Sequence, residues 1–192
     1  MNRNDRSVHI RNLVLSALFI AVGMVLPYFT GQIPQIGRML SPMHLPVLLC
    51  GLICGWPWGL AVGLILPLFR HFTLGMPMLL DAVAMTFELA AYGGVVGVLY
   101  RRFKRQNIAA VYISLIAAML AGRVVWGIVR VLMTGVSHEP FTWQMFLAGG
   151  FVNAVPAIIL QLVFIPVMMA ALDRTGLVRF RREGETPHLS RN

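Results

Sequence analysis

Five ionisable side chains fall inside otherwise apolar stretches of this chain: Arg70, Asp81, Glu88, Arg123 and Arg130. The segment "GRVVWGIVR", residues 122 to 130, sets its two arginines seven positions apart, and Asp81 and Glu88 have the same spacing. Seven residues are two helical turns, so each pair shares one helix face. A helical arginine at the centre of a bilayer costs roughly 2.5–3.5 kcal/mol on insertion scales, so its default reading is functional.

If the two segments are antiparallel helices, a rise of ~1.5 Å per residue puts Glu88 ~18 Å above Tyr100 and Arg123 ~24 Å above Asn107. By the same rule Asp81 and Arg130 stand ~28 and ~34 Å up. The offset recurs, so an acidic face can meet a basic face at two levels. One reading is purely structural: two buried ion pairs that hold the helices together. The other starts from charge balance, because three arginines face two carboxylates. Near the outer end the surplus guanidinium suits a carboxylate or phosphate ligand, gripped bidentately. Arg123 is then the deeper partner of Glu88, and Arg130 the candidate for the anionic group. Trp126, one turn from both arginines, offers a flat apolar wall. His44 and His71 read either as ligand contacts or as satisfied interfacial histidines.

Other chemistry is sparse. No HExxH, GxSxG or GxxxxGK[ST] pattern occurs. The only lysine is Lys104, in a basic loop, which excludes a buried Ser–Lys dyad. Cys50 and Cys54 lie four apart in an apolar run, without the separation of a disulfide framework or the further ligands of a metal site. No metal site and no cofactor are expected. Any active transport must draw its energy from another subunit or from an ion gradient.

The elements that position these residues follow from composition. The chain is 58% hydrophobic and 12% charged, with a mean hydropathy of +0.75, against roughly 25% charged in soluble domains. An all-α integral membrane protein of six transmembrane helices is predicted over 1–172, with a polar basic tail over 173–192. The spans are expected at about 13–28, 42–54, 60–69, 79–100, 108–133 and 143–172, with a turn at "GWPWG". The second and third are short against the ~20 residues of a full crossing. The net charge of +9 concentrates in "MNRNDRSVHIR", "RRFKRQ" and "RTGLVRFRR", all flanking apolar runs. That pattern fixes orientation and argues against nucleic acid: the N-terminus, Lys104 and the tail face the cytoplasm. The first run is too long, and too poor in cleavage signals, for a signal peptide. On it, Ala17 and Ala21 form a small-xxx-small pair that permits close helix approach, broadened slightly by Ser16 and Gly23.

The stretches "SPMHLPVLLCGLICGWPWGLAVGLILPLFR" and "GMPMLLDAVAMTFELAAYGGVVGVLYRR" resemble the substrate-binding S components of energy-coupling factor (ECF) vitamin transporters. The shared pattern is MHLPVLLxGxxxG, then GLxxP, GMP and FELAxYGxxxGxLYR, and the likeness covers roughly residues 10 to 172. It implies six helices with cytoplasmic termini in the cell membrane. It also implies a membrane T component and two ATP-binding cassette ATPases as partners, with ATP hydrolysed there and not by this chain. An external pocket capped by the loops after helices one, three and five is implied, as is docking of the T component on the alanine face of helix one, here Ala17 and Ala21. The ligand-site candidates are His44, Arg70, His71, Met76, Asp81, Glu88, Arg123, Trp126, Arg130 and Asn153. The sequence departs from the pattern at "GWPWG" and at "GMPMLLD", where Asp81 puts an acid at the pocket rim. Pantothenate, cobalamin, pyridoxine-type and thiamine-precursor ligands all occur in this subfamily, and the surplus arginine favours pantothenate. Two rivals stand beside this reading. One is a stand-alone ion-coupled carrier. The other is a membrane enzyme acting on lipid or isoprenoid phosphates, which would need paired acids and metal ligands that the sequence lacks.

Overall fold

A computed structural model describes residues 3–30, 42–137 and 142–175. Seven α-helices occur among them: α1 (Arg3–Val25), α2 (His44–Ile53), α3 (Trp56–Leu74), α4 (Leu79–Arg102), α5 (Ile108–Ser137), α6 (Trp143–Leu147) and α7 (Val155–Arg174). A 3-10 turn over Leu26–Thr30 extends α1, and a π-helical turn over Ala148–Val152 follows α6. The expected loop over 29–41, the tip of the loop over 134–142 and the tail beyond Thr175 lie largely outside the described residues.

Five segments are long and apolar enough to cross a membrane: Arg6–Tyr28, Trp56–Leu74, Leu79–Arg102, Ile108–Met133 and Trp143–Arg174. The expected second span is the ten-residue α2, ~15 Å long at the helical rise, which is half a crossing. Gly55 ends it at φ +98°, a conformation that disfavours any side chain. Arg101 also fills the space where a Cβ at Gly55 would sit. The expected third span was too short for the opposite reason. Trp56 and Pro57 are not a turn but the first residues of α3, where the missing N–H of proline costs nothing. The sixth segment is not continuous, for it breaks between the π-helical turn and α7.

Helix direction alternates along the bundle. Asn12 of α1 donates to the carbonyl of Cys54 at the end of α2, 3.5 Å away, and Ser16 lies 3.5 Å from Cys50. Gly23 meets Pro46 and Leu66, so α2 runs against α1 and α3 runs with it. Ser16 and Gly23 therefore belong to the inward face of α1 and do not extend the exposed Ala17 and Ala21 surface. Between α3 and α4 the backbones touch: Gly59 sits on Gly93, and Gly63 on Leu89 and Ala90. The end of α4, the start of α5 and the end of α7 lie at the end of the bundle where Asn12 of α1 meets Cys54. Arg101 donates to Cys54 O at 2.9 Å, and Asn107 and Ala109 line one hollow with Ala170 and Arg174.

The core holds Leu48, Leu66, Leu89, Leu115, Ile165 and Met169. The outside is equally apolar: on α5, Leu120, Val124, Ile128 and Val131 are all exposed, whereas Arg123 is 7% exposed. Apolar side chains outward and charges inward is the arrangement a lipid solvent selects, and it would be an aggregation liability in water.

Candidate functional site

Both expected ion pairs form across the antiparallel contact of α4 and α5. Arg123 Nη1 lies 2.8 Å from Glu88 Oε1, with both side chains under a tenth exposed. Arg130 pairs with Asp81 nearer the helix ends, where the two side chains are 26% and 37% exposed. The two levels follow from the shared seven-residue spacing.

The deeper level carries more than one pair. Tyr92, one turn after Glu88 on α4, donates its hydroxyl to the same Oε1 at 3.2 Å. His44, the first residue of α2, brings Nε2 within 3.6 Å of that oxygen and sets its ring edge-on to Tyr92, centroids 5.1 Å apart. Gly122 makes room for Tyr92, since a Cβ there would stand 2.9 Å from the ring. A carboxylate at this depth is tolerable only when paired and hydrogen-bonded, and three side chains converge on one oxygen. Arg123 Nε is sealed from solvent with no hydrogen-bond partner, so the guanidinium is not fully used by Glu88.

The shallower level is aromatic. The Arg130 guanidinium lies 5.7 Å over the Trp126 ring. Trp126 stacks at 6.2 Å on Phe146, which stacks at 5.2 Å on Trp143. Two glycine contacts key this ladder into the break in the sixth segment. Phe146 occupies the space of a Cβ at Gly127, and a Cβ at Gly149 would sit 3.0 Å from Trp126. A π-helical turn beside buried charge is a common functional device, and irregular backbone at membrane depth belongs where it lines protein or a cavity.

Arg70 stands apart from both pairs. It is 5% exposed and donates from Nη1 to the carbonyl of Met24 at 3.1 Å, with Tyr28 beneath it at 6.0 Å. Among the described residues it has no ion pair with a carboxylate, so the surplus charge falls on Arg70 and not on Arg130. Rather than joining the cluster, His71 hydrogen-bonds Pro77 O through Nδ1 at 2.7 Å and braces the α3–α4 turn. Met76 is exposed in that turn. Asn153 is exposed too, its backbone N–H closing on Ala148 O at 2.9 Å. Of the ten sequence candidates, the structure gathers His44, Glu88 and Arg123 at one level and Asp81, Trp126 and Arg130 at the next. Tyr92, Phe146 and the Gly149–Gly150 pair were missed. Only Tyr92 had a signal, its i,i+4 spacing from Glu88.

A helical bundle with an apolar exterior and charge pairs buried inside it defines a polytopic membrane protein. Its family follows directly: the model for "ECF transporter, substrate-specific component" matches residues 11–169, and the chain belongs to that family. Comparison with curated proteins and comparison with solved structures each gave no match. The chain is thus a multi-pass cell-membrane subunit that binds substrate for a transporter and is not an enzyme. Membership implies a small-molecule substrate and partnership with T and ATPase modules.

Proposed function

We propose that this subunit binds a small organic-acid vitamin, pantothenate first, at the outer end of the bundle, and presents it to the T component and two ATPases. The observation that carries the reading is the charge count of the buried face: three guanidinium groups against two carboxylates, with Arg70 unmatched. An anionic substrate completes the balance, and a guanidinium fork suits a carboxylate. Neutral pyridoxine-type and thiamine-precursor ligands would leave that charge uncompensated. In this scheme Glu88, Tyr92 and His44 hold Arg123 in the floor, Arg130 and Trp126 form a wall, and the keyed α6 segment flanks the entrance.

Alternating helix directions support six successive segments, with the half-length α2 as the second, and the basic flanks support cytoplasmic termini. Ala17 and Ala21 are exposed on the outward face of α1, as docking on a membrane partner requires. The test is extraction of the purified subunit and mass spectrometry of the small molecule it retains. Pantothenate, or another carboxylate of that class, is expected. A neutral or cationic ligand would contradict the reading.

A further inference from the structure

We infer that Arg70 is the residue that reads the substrate's negative charge, and that Arg130 is not; the inference rests on the anionic-vitamin reading above. Each arginine of the buried face has a different claim on its charge. Arg123 is neutralised by Glu88 and Arg130 by Asp81. Among the described residues Arg70 has one backbone carbonyl and one ring, which orient a guanidinium without cancelling its charge. A guanidinium carries five N–H donors, and a single bond to Met24 leaves most of them to spend. Arg123 Nε is sealed in without a hydrogen bond, but the charge of Arg123 is already met by Glu88. Burying a guanidinium whose charge no described carboxylate offsets is costly, and an anionic ligand would relieve that cost.

Position supports the same assignment. The register that sets Gly59 on Gly93 and Gly63 on Leu89 carries Arg70, seven residues beyond Gly63 on the same face, to the level of Ala82. Asp81 and its partner Arg130 lie at that level on another side of α4. The two arginines flank the first turns of one helix, about a helix diameter of ~10 Å apart. A ligand of pantothenate's length lying across that end meets an already neutralised pair on one side and a net positive charge on the other. A purely structural role, stapling the end of α1 to α3, would need a hydrogen-bond donor and not a charge.

The experiment separates charge from donor. Binding of pantothenate and of its neutral alcohol, pantothenol, is measured by calorimetry on the purified subunit and on Arg70→Gln, Arg70→Lys and the charge-balanced double variant Asp81→Asn/Arg130→Gln. Thermal unfolding is recorded for each. The parent is expected to prefer the acid on the order of a hundredfold, the scale of a charge-assisted bidentate contact. Arg70→Gln, which keeps a donor for Met24, should reduce that preference to within a few-fold of unity while pantothenol affinity holds. Arg70→Lys should retain much of the preference, and the double variant Asp81→Asn/Arg130→Gln, which removes both charges of the pair together, should keep it within a few-fold of the parent's. A preference that survives Arg70→Gln, that vanishes in Asp81→Asn/Arg130→Gln, or that is lost equally in the Arg70 lysine and glutamine variants overturns the assignment to Arg70 alone. If the parent binds neither compound, the pantothenate reading fails and the assignment falls with it.

Discussion

Glu88 Oε1 accepts from Tyr92, pairs with Arg123 and lies beside His44, so removing one neighbour leaves the others with a buried charge to accommodate. Arg123→Ala is expected to lower stability by roughly 3–5 kcal/mol, the cost of stranding a buried carboxylate. Glu88→Gln combined with Arg123→Met should recover much of that loss, because no charge then remains to be desolvated. Chemical unfolding in detergent measures both, and a double variant as unstable as Arg123→Ala would refute the pairing argument. Tyr92→Phe should cost roughly 1.5–3 kcal/mol, one net hydrogen bond to a charged group. The ion pairs were legible in the sequence because their spacing survives any rigid docking of two helices. Arg70 was not placed by sequence reasoning because its partner is a backbone carbonyl, and every residue has one.

The element scale is governed by the glycine seam of α3 and α4. A Cβ at Gly93 would fall 2.2 Å from the carbonyl oxygen of Gly59, whereas one at Gly94 meets Leu60 at an ordinary 3.5 Å. Gly93→Ala must therefore push the helices apart, at a cost of roughly 1–3 kcal/mol of overpacking. Gly94→Ala should be neutral or slightly stabilising through helix propensity. Thermal unfolding compares the two, and equal effects would mean the backbones are not in contact. Boundaries were legible where composition changed sharply, as at α4 and α5. They were misread where proline sits in a first helical turn, as at Trp56–Pro57, and where a continuous apolar run hides a break, as at Ala148–Val152. Hydropathy reports burial in lipid and is blind to how the backbone hydrogen bonds are shared.

At the scale of the whole molecule, α1 presents two faces. Asn12, Ser16 and Gly23 point into the bundle, and Val14, Ala17, Leu18, Ala21 and Val22 point out. Ala17→Leu or Ala21→Leu should block assembly with the T component by adding bulk to a close contact, while ligand binding by the isolated subunit is retained. Co-purification of the complex measures this, and undiminished assembly in both variants would move the interface elsewhere. Orientation is tested by Lys104→Cys: a membrane-impermeant thiol reagent added to intact cells should leave it unlabelled. Family and the all-helical membrane class were legible because motif, composition and hydropathy act over whole segments. The substrate was not, because the proposed site draws on α3, α4 and α5 with contributions from the end of α1 and the start of α2, and no single stretch encodes that convergence.

The most direct measurement of the central claim is uptake of labelled pantothenate into proteoliposomes containing this subunit alone or with its T and ATPase partners. The subunit alone is expected to bind the vitamin without accumulating it, and accumulation should appear only with the partners and internal or external ATP on the side of the ATPases. Accumulation by the subunit alone, driven by an imposed ion gradient, would contradict the account and make the chain a carrier in its own right.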